Sequence, residues 1–307
     1  MYPFQRILVP TDFSLCAEAA YHHALYLAQR YKAEVYLLHV VRRATNSLRQ
    51  DHDVAWPDRV TRSRSGRPAN TEHWHGLLLH RVILQSPDPV TAILDYAQEK
   101  AIDFIVMGAH GDRGAGQYLN RGVGSAFLGH TTEQVVRHAT CPVLRVVMAD
   151  GRHPDQVRRI LAPLDLSSLS LLGLAYAKDL ASLYNARLDL LHVVEQASTQ
   201  DADEDAPKRD ELIDLFKKTK GPDVSAGFHV VQGRPDRMIQ AFVKDRAVDM
   251  IVLGAHSDLG QDVLGIVAEQ VVRTAPCSVL TVRKGASEAR TSSRSERAFP
   301  LPFAGLL

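Results

Sequence analysis

Short apolar runs alternate along the chain with longer stretches of helical periodicity. Such runs are typical of buried strands, whereas apolar residues every three or four positions indicate amphipathic helices. The first half predicts strands at 6–10, 33–41, 78–84, 104–107 and 143–147 and helices at 14–31, 89–100 and 132–138. The second half predicts strands at 158–164, 188–194, 228–231, 250–253 and 279–282 and helices at 169–184, 211–220, 236–247 and 268–274. This alternation implies crossover connections, so we predict an α/β fold with a doubly wound parallel sheet.

The two halves are copies of one unit. Residues 7–14, ILVPTDFS, recur as ILAPLDLS at 160–167, and LHVV at 38–41 recurs at 191–194. DFIVMGAH at 103–110 matches DMIVLGAH at 249–256, and EQVVR at 133–137 recurs at 269–273. Four matched blocks in one order predict two repeated domains, at 1–149 and 150–284. The remaining Ser- and Arg-rich tail, 285–307, is predicted to be disordered.

Two segments distinguish the first copy from the second. Residues 42–76 form a polar insertion with seven arginines and both tryptophans, where the second copy has a helix with an apolar stripe. This composition predicts a mobile polar loop, and the alternative is a basic patch that binds an anion or a partner. The glycine-rich stretch 111–130 is longer than its counterpart in the second copy.

Composition excludes several classes of protein. Lys and Arg number 36 against 35 Asp and Glu, so the net charge of +1 excludes a chain-wide polycation for nucleic acid. No apolar run approaches the ~18 residues that a membrane span needs. The three cysteines, Cys16, Cys141 and Cys277, are too far apart for a disulfide framework or a zinc site, which fits a cytoplasmic protein.

The candidate chemistry lies where strands end. In an open parallel sheet, ligands bind beyond the carboxyl ends of the strands, at the point where strand order reverses. The first copy places there Pro10, Thr11, Asp12, Val40, Met107, Gly108, His110 and Gly111. Glycines after a strand let backbone approach a phosphate, and a following helix N-terminus offers unpaired N–H donors. His110 stands beside this position and is a further possible donor to phosphate.

These motifs resemble the universal stress protein family in its tandem-domain form. The resemblance rests on VPTDFS at 9–14, LHV at 38–40, VMGAHG at 106–111 and the segment 133–143, and it covers nearly all of 1–284 except 42–75. It implies two Rossmann-like domains of the adenine nucleotide alpha hydrolase type. It also implies a stress-response regulator that binds ATP, with or without Mg²⁺. Asp12 would then hold the ribose and the backbone of Val40 the adenine.

The family's phosphate motif leaves two registers open in this chain. Nucleotide-binding members have Gly-x-x-Gly, nine residues, and then Gly-Ser or Gly-Thr. Here Gly124-Ser125 follows Gly111 after twelve residues, 112–123, whereas Gly129-His130 has the family's distance to Glu133 but no hydroxyl. We favour Gly124-Ser125, since Ser125 keeps both a hydroxyl and a backbone donor. Gly129-His130 stays open because backbone N–H groups alone can bind phosphate, and the remaining interpretation is that these glycines only make a flexible loop.

The second copy departs further from the motif. Ser257 replaces the second glycine, and Gly265-Ile266 follows after seven residues, 258–264. A side chain therefore stands where backbone should approach phosphate. We predict one nucleotide site per chain, in the first domain, and a degenerate site in the second.

The sequence contains no Walker A lysine, nucleophile elbow or kinase motif set, so we expect no catalytic residues, no metal site and at most slow ATP hydrolysis. The expected partners are an adenine nucleotide and a protein that the sequence does not identify. The alternative is a nucleotide-free protein-interaction module of the same fold. A third possibility is an enzyme of the related nucleotidyl-hydrolase type.

The last strand of each copy predicts how the domains assemble. The runs at 143–147 and 279–282 are short, apolar and β-branched, like the final strands through which single-domain members of the family dimerise. An unpaired edge strand invites pairing, and a short linker holds the second copy at high local concentration. We therefore predict an internal pseudo-dimer of the two domains. The chain would be a monomer or would form a homodimer through another surface.

Overall fold

The computed structural model describes residues 4–41, 71–74, 76–111, 128–147, 156–195, 205–255 and 264–283. In the first copy the strands are β1 (Arg6–Thr11), β2 (Glu34–Val41), β3 (Thr71–Trp74), β4 (Leu77–Gln85), β5 (Phe104–Gly108) and β6 (Val143–Val146). The helices of this copy are α1 (Leu15–Tyr31), α2 (Pro89–Glu99) and α3 (His130–His138).

In the described residues the second copy repeats this order, except that a helix stands where the first copy has β3. Its strands are β7 (Arg159–Pro163), β8 (Arg187–Val194), β9 (Ala226–Gln232), β10 (Met250–Gly254) and β11 (Ser278–Val282). Its helices are α4 (Ser168–Tyr184), α5 (Asp205–Lys218), α6 (Pro235–Asp245) and α7 (Ile266–Thr274).

All described strands belong to one sheet, in the order β3-β4-β2-β1-β5-β6-β11-β10-β7-β8-β9. In the first copy the neighbouring strands in the order β4-β2-β1-β5-β6 are all parallel. In the second copy the neighbours in the order β11-β10-β7-β8-β9 are also parallel. Strand order reverses between β1 and β5 in the first copy and between β7 and β10 in the second. The α/β class and the doubly wound topology predicted from the sequence are therefore confirmed.

The polar insertion contains a strand that the sequence analysis missed. Residues Thr71–Trp74 pair antiparallel with β4, from Thr71 opposite His80 to Trp74 opposite Leu77. The prediction of a loop through 42–76 is therefore wrong at β3. The outer edge of β4 presents unpaired N–H and C=O groups, and β3 satisfies them. Residues 42–70 lie outside the described part of the chain.

The two copies meet through their last strands. β6 and β11 pair antiparallel, with Leu144 opposite Leu280, Arg145 opposite Val279 and Val143 opposite Thr281. Leu144 and Leu280 occupy the same position in the repeat, so a pseudo-two-fold axis passes between them. The structure thus has the internal pairing of final strands that the sequence predicts.

Helices cover both faces of the sheet, and both apolar cores run across the junction. One core lies under α1, α4 and α5, and the other under α2, α3, α6 and α7; each contains buried residues of both copies. On the first face the rings of Tyr26 and Tyr184 stack at 5.0 Å with an interplanar angle of 6°, and Phe4 lies 5.9 Å from Tyr176. The copies therefore share buried apolar surface in addition to the strand ladder.

Shortening Leu144 tests whether this junction supports the whole fold. Leu144 is 1% exposed in the centre of the ladder. A buried Leu→Ala change costs about 2–5 kcal/mol, so we expect Leu144→Ala to lower the thermal midpoint by about 5–10 °C, measured by calorimetry. The matched control is Leu15→Ala, because Leu15 is 56% exposed. Equal midpoints for the two variants would contradict a supporting role for the junction.

Candidate functional site

The predicted site residues gather at one edge of the first half-sheet. Pro10 and Thr11 end β1, Asp12 follows them, and Val40 stands one residue before the end of β2. Met107 and Gly108 end β5, and His110 and Gly111 follow it. Because β1 and β5 are neighbours at the point where strand order reverses, their carboxyl ends border a crevice.

Asp12 and Gly111 are in direct contact across this crevice. One carboxylate oxygen of Asp12, Oδ1, accepts a hydrogen bond of 3.1 Å from the backbone N–H of Ser14. The other, Oδ2, lies where a Cβ atom of residue 111 would stand. Position 111 must therefore be glycine for the Asp12 carboxylate to occupy this place. The sequence predicted both residues but not their contact.

The turn after β1 is tied to the end of β2. His39 Nδ1 lies 2.8 Å from the carbonyl oxygen of Thr11, so this nitrogen carries the proton and donates it. The His39 ring packs 4.5 Å from the ring of Phe13, a residue with a left-handed φ of 65°. His192 makes the same 2.8 Å contact with the Leu164 carbonyl in the second copy. These histidines therefore hold the strand ends in place in both copies.

Gly108 lets helix α1 approach the end of β5. A Cβ atom at this position would lie 2.8 Å from the carbonyl carbon of Cys16 and 2.9 Å from the nitrogen of Ala17. The Gly108 carbonyl accepts a 2.8 Å hydrogen bond from Thr132 Oγ1. The sequence analysis did not single out Thr132, because its acceptor is a backbone carbonyl 24 residues away that only the fold brings close.

The N-terminus of α3 closes the same edge. The Gly129 N–H donates to the carbonyl of Ala109 at 2.7 Å, and a Cβ atom at Gly129 would stand 3.2 Å from the Cα of His110. Helix α3 begins at His130 without a side-chain cap from Gly129, and the first backbone N–H groups of a helix have no acceptor within the helix itself. Gly124 and Ser125 lie outside the described residues, and the choice between the two glycine pairs therefore stays a prediction.

His110 is kept neutral by its surroundings. Burial lowers the pKa of His110 below its ordinary value of 6.5, and the positive charge of Arg145 lowers it further. A hydrogen bond with the Gly111 backbone and the charge of Asp12 act in the opposite direction without cancelling these effects. At neutral pH the imidazole is therefore an uncharged group beside Gly111.

The equivalent edge of the second copy has different chemistry. Burial would raise the pKa of Asp165, but hydrogen bonds from the side chains of Ser167 and Ser170 and from the Ser167 backbone hold it below its ordinary 3.8. The first copy has Ala17 where the second has Ser170, so Asp12 receives no bond from that position. At the start of α7, Ile266 is 89% exposed where the first copy has His130. The two edges have equivalent strands and helices but different polar side chains.

The rest of the described chain offers neither a metal centre nor a membrane span. No group of three or more His, Cys, Asp or Glu side chains in the described ranges is placed to hold a metal ion. Among those same residues, each helix is too short or too polar to cross a bilayer. The buried thiols of Cys141 and Cys277 belong to the core.

Two tandem α/β units with a glycine-bordered crevice define the class of protein, and comparisons with known proteins identify the family. A family model described as the universal stress protein family matches residues 3–146 and 156–283. The chain belongs to this family. Universal stress protein MJ0531 of Methanocaldococcus jannaschii is 30% identical over 151 residues, which cover 47% of this chain and 82% of that protein.

Solved structures show the same tandem fold. The functionally unknown protein PA1789 from Pseudomonas aeruginosa PAO1 superimposes with a TM-score of 0.67 at 20% identity, covering 95% of this chain and 98% of that one. A universal stress protein from Archaeoglobus fulgidus DSM 4304 gives a TM-score of 0.64 at 21% identity and covers 91% and 98%. At these identities the likeness extends to the fold alone.

An NMR titration tests the electrostatics of the crevice. We expect His110 to titrate below 6.5 in the folded protein, because burial and Arg145 both disfavour its charged form. The unfolded chain then binds this proton more tightly, so His110 makes folding stability fall as pH drops below 6.5. Loss of one imidazole signal in His110→Gln assigns the resonance. A value at or above 6.5 would contradict the described environment.

Proposed function

We propose that the first domain, residues 1–149, binds ATP and that the chain acts as a stress-response regulator through this binding. The observation that carries the proposal is the contact between Asp12 and Gly111, which puts a carboxylate at the mouth of the strand-switch crevice. The second domain, 150–284, has serine at position 257 and would not bind nucleotide in the same way.

The residues fit the parts of an adenine nucleotide. The Asp12 carboxylate is an acceptor for ribose hydroxyls, and Ser14 fixes its orientation. Val40 lies one residue before the end of β2, which His39 ties to β1, and its backbone would bind the adenine edge. An apolar adenine ring would enter the crevice beside the partly buried Val40 side chain.

The phosphates would lie between Gly111 and the start of α3. A glycine lets backbone come close to a phosphate oxygen, and the helix N-terminus adds N–H donors and a favourable dipole. His110 supplies a neutral imidazole there. Mg²⁺, when bound, would be held chiefly by the phosphates, since the described residues offer no ligand cluster of their own. Such an arrangement binds nucleotide without an acid–base pair for rapid hydrolysis.

Asp12 and Asp165 occupy the same position in the two copies, and an isosteric change at each of them tests the location of the site. We expect Asp12→Asn to weaken ATP binding by roughly 10–100-fold, because a hydrogen bond to a charged group is worth about 1.5–3 kcal/mol. Asn keeps the acceptor for the Ser14 N–H, so the turn survives. The matched control is Asp165→Asn, which we expect to change affinity less than two-fold.

The measurement is isothermal titration of the full chain with ATP and Mg²⁺. One nucleotide per chain supports the asymmetry of the two copies, whereas two would refute it. No binding at all would favour the nucleotide-free interaction module.

Two further variants decide which glycine pair contacts phosphate. If Gly124-Ser125 is the phosphate contact, Ser125→Ala loses a hydroxyl donor, and we expect ATP affinity to fall about 5–10-fold. His130→Ala then serves as control with little change, since only its backbone lies at the helix start. A strong effect of His130→Ala with none of Ser125→Ala would reverse the assignment.

A further inference from the structure

Arg145 is a fully buried cation near the end of β6. Its exposed fraction is 0%, and its neighbour in the ladder with β5 is Met107. Met107 and Val143, which stands two residues before Arg145 on β6, both belong to the core under α2, α3, α6 and α7. Because side chains alternate along a strand, Arg145 lies on this same face of the sheet. The equivalent residue of the second copy is the uncharged Thr281.

Two carbonyl groups of the second copy hold the guanidinium of Arg145 in place. It donates to the carbonyl oxygens of Ala275 at 2.8 Å and Cys277 at 2.7 Å, in the turn between α7 and β11. Ala275 directly follows α7, where the helix dipole favours a positive charge. Carbonyl oxygens are neutral acceptors, so these two bonds fix the guanidinium without cancelling its charge.

These bonds direct the guanidinium toward the edge of the sheet that contains the first crevice. β11 runs antiparallel to β6, so the turn before β11 lies beside the carboxyl end of β6. β5 and β6 are parallel, so their carboxyl ends lie at one edge. The loop after β5 is joined to β6 there, because the Ala109 N–H donates to the Val146 carbonyl at 2.8 Å.

The end of β6 therefore lies between the turn that holds Arg145 and the loop that borders the crevice. Neighbouring strands are about 4.8 Å apart, which puts the guanidinium within roughly 10 Å of that loop. The charge of Arg145 reaches His110 in the loop, where it opposes protonation and lowers the pKa. Since the guanidinium is removed from water, its charge acts over this distance with little screening.

Two further arginines lie between α3 and α7, and carboxylates neutralise both of them. Arg273 of the second copy pairs with Glu133 in the first turn of α3 at 2.6 Å. Arg137 pairs with Glu269 at 2.9 Å. Two cations and two anions make a cluster without net charge, which adds little potential to the crevice. Arg145 has a different role, because the two carbonyl groups that hold it carry no charge.

We propose that Arg145 makes the first crevice selective for ligand charge, so that it binds an adenine nucleotide through its phosphates and discriminates against the neutral nucleoside. This inference rests on the proposed function and deepens it, because it names the part of the ligand that the chain distinguishes. Arg145 acts through its electric field without touching the ligand, and the turn between α7 and β11 positions it. The second domain thereby takes part in ligand binding by the first.

Two substitutions separate charge from hydrogen bonding at position 145. Arg145→Gln removes the charge and keeps an N–H donor, whereas Arg145→Lys keeps the charge as well as a donor. The ligands are ATP with Mg²⁺ and adenosine, which has the same base and ribose but no phosphate. We expect Arg145→Gln to weaken ATP binding about 10-fold and adenosine binding less than about two-fold. We expect Arg145→Lys to stay within about three-fold of the original chain for both ligands.

Arg283→Gln is the matched control. Arg283 follows β11 and donates to the carbonyl oxygen of Arg137, so it lies at the opposite edge of the sheet from the first crevice. We expect this variant to change the affinity for ATP less than about two-fold. Affinities are measured by calorimetry for ATP and by NMR titration for adenosine, well below the thermal midpoint of each variant. A loss of ATP affinity as large as that of Arg145→Gln would show a general effect of the junction and would refute the proposal.

A measurement on the original chain is independent of any effect that substitution has on folding. The Nε–H signal of Arg145 is followed by heteronuclear NMR during titration with each ligand. We expect ATP to shift this signal and adenosine to leave it in place, because only ATP brings charge to the crevice. An unshifted signal at saturating ATP would overturn the proposal even if both variants at position 145 failed to fold.

The outcomes distinguish this inference from the proposed function. If Arg145→Gln weakened the binding of ATP and adenosine equally, Arg145 would only support the fold, and charge selectivity would be wrong. Unchanged ATP affinity in Arg145→Gln would have the same consequence. An original chain that bound no ATP would instead refute the proposed function, on which this inference rests.

Discussion

The antiparallel ladder between β6 and β11 is the contact on which the rest of the architecture depends. A doubly wound sheet has a last strand whose outer edge must be paired or shielded, and here each copy pairs the edge of the other. The same strands hold the loops of the crevice. The Ala109 N–H donates to the Val146 carbonyl at 2.8 Å, and the Ala255 N–H makes the same bond to Val282. The junction and the loop after β5 are therefore both built on β6.

The two copies share the backbone contacts that support the crevice but differ in the residues beside it. Both copies have a histidine that ties the second strand to the first, and both have glycine where the first helix meets β5 or β10, Gly108 and Gly254. Thr132 and His130 of the first copy correspond to Ala268 and Ile266 of the second. The former set supports the same backbone geometry in both copies, whereas the latter positions differ in polarity between them. Divergence at these positions is thus compatible with an unchanged fold.

The order of strands and helices was predictable because long periodic segments report burial directly. The boundaries of the elements were less predictable than their order. Helix α5 begins at Asp205, although the apolar stripe first indicates a helix at 211. β3 gave no signal because four residues, Thr71–Trp74, are too few to show a period. Arg145 was hidden in a predicted apolar strand, since its acceptors are backbone carbonyls 130 and 132 residues away. Only the tertiary fold brings those groups together, and the Asp12–Gly111 contact is of the same kind.

Arg145 also links the asymmetry of the junction to that of the crevices. Its charge reaches His110, where it opposes protonation, although its own hydrogen bonds go to the second copy. The interior transmits a charge further than water does, so this cation adds positive potential near the place proposed for phosphate. Thr281 supplies no such charge to the second crevice. One substitution within the repeat therefore has two effects: it gives the first copy a buried arginine that donates to carbonyls of the second, and it places a positive charge within reach of His110.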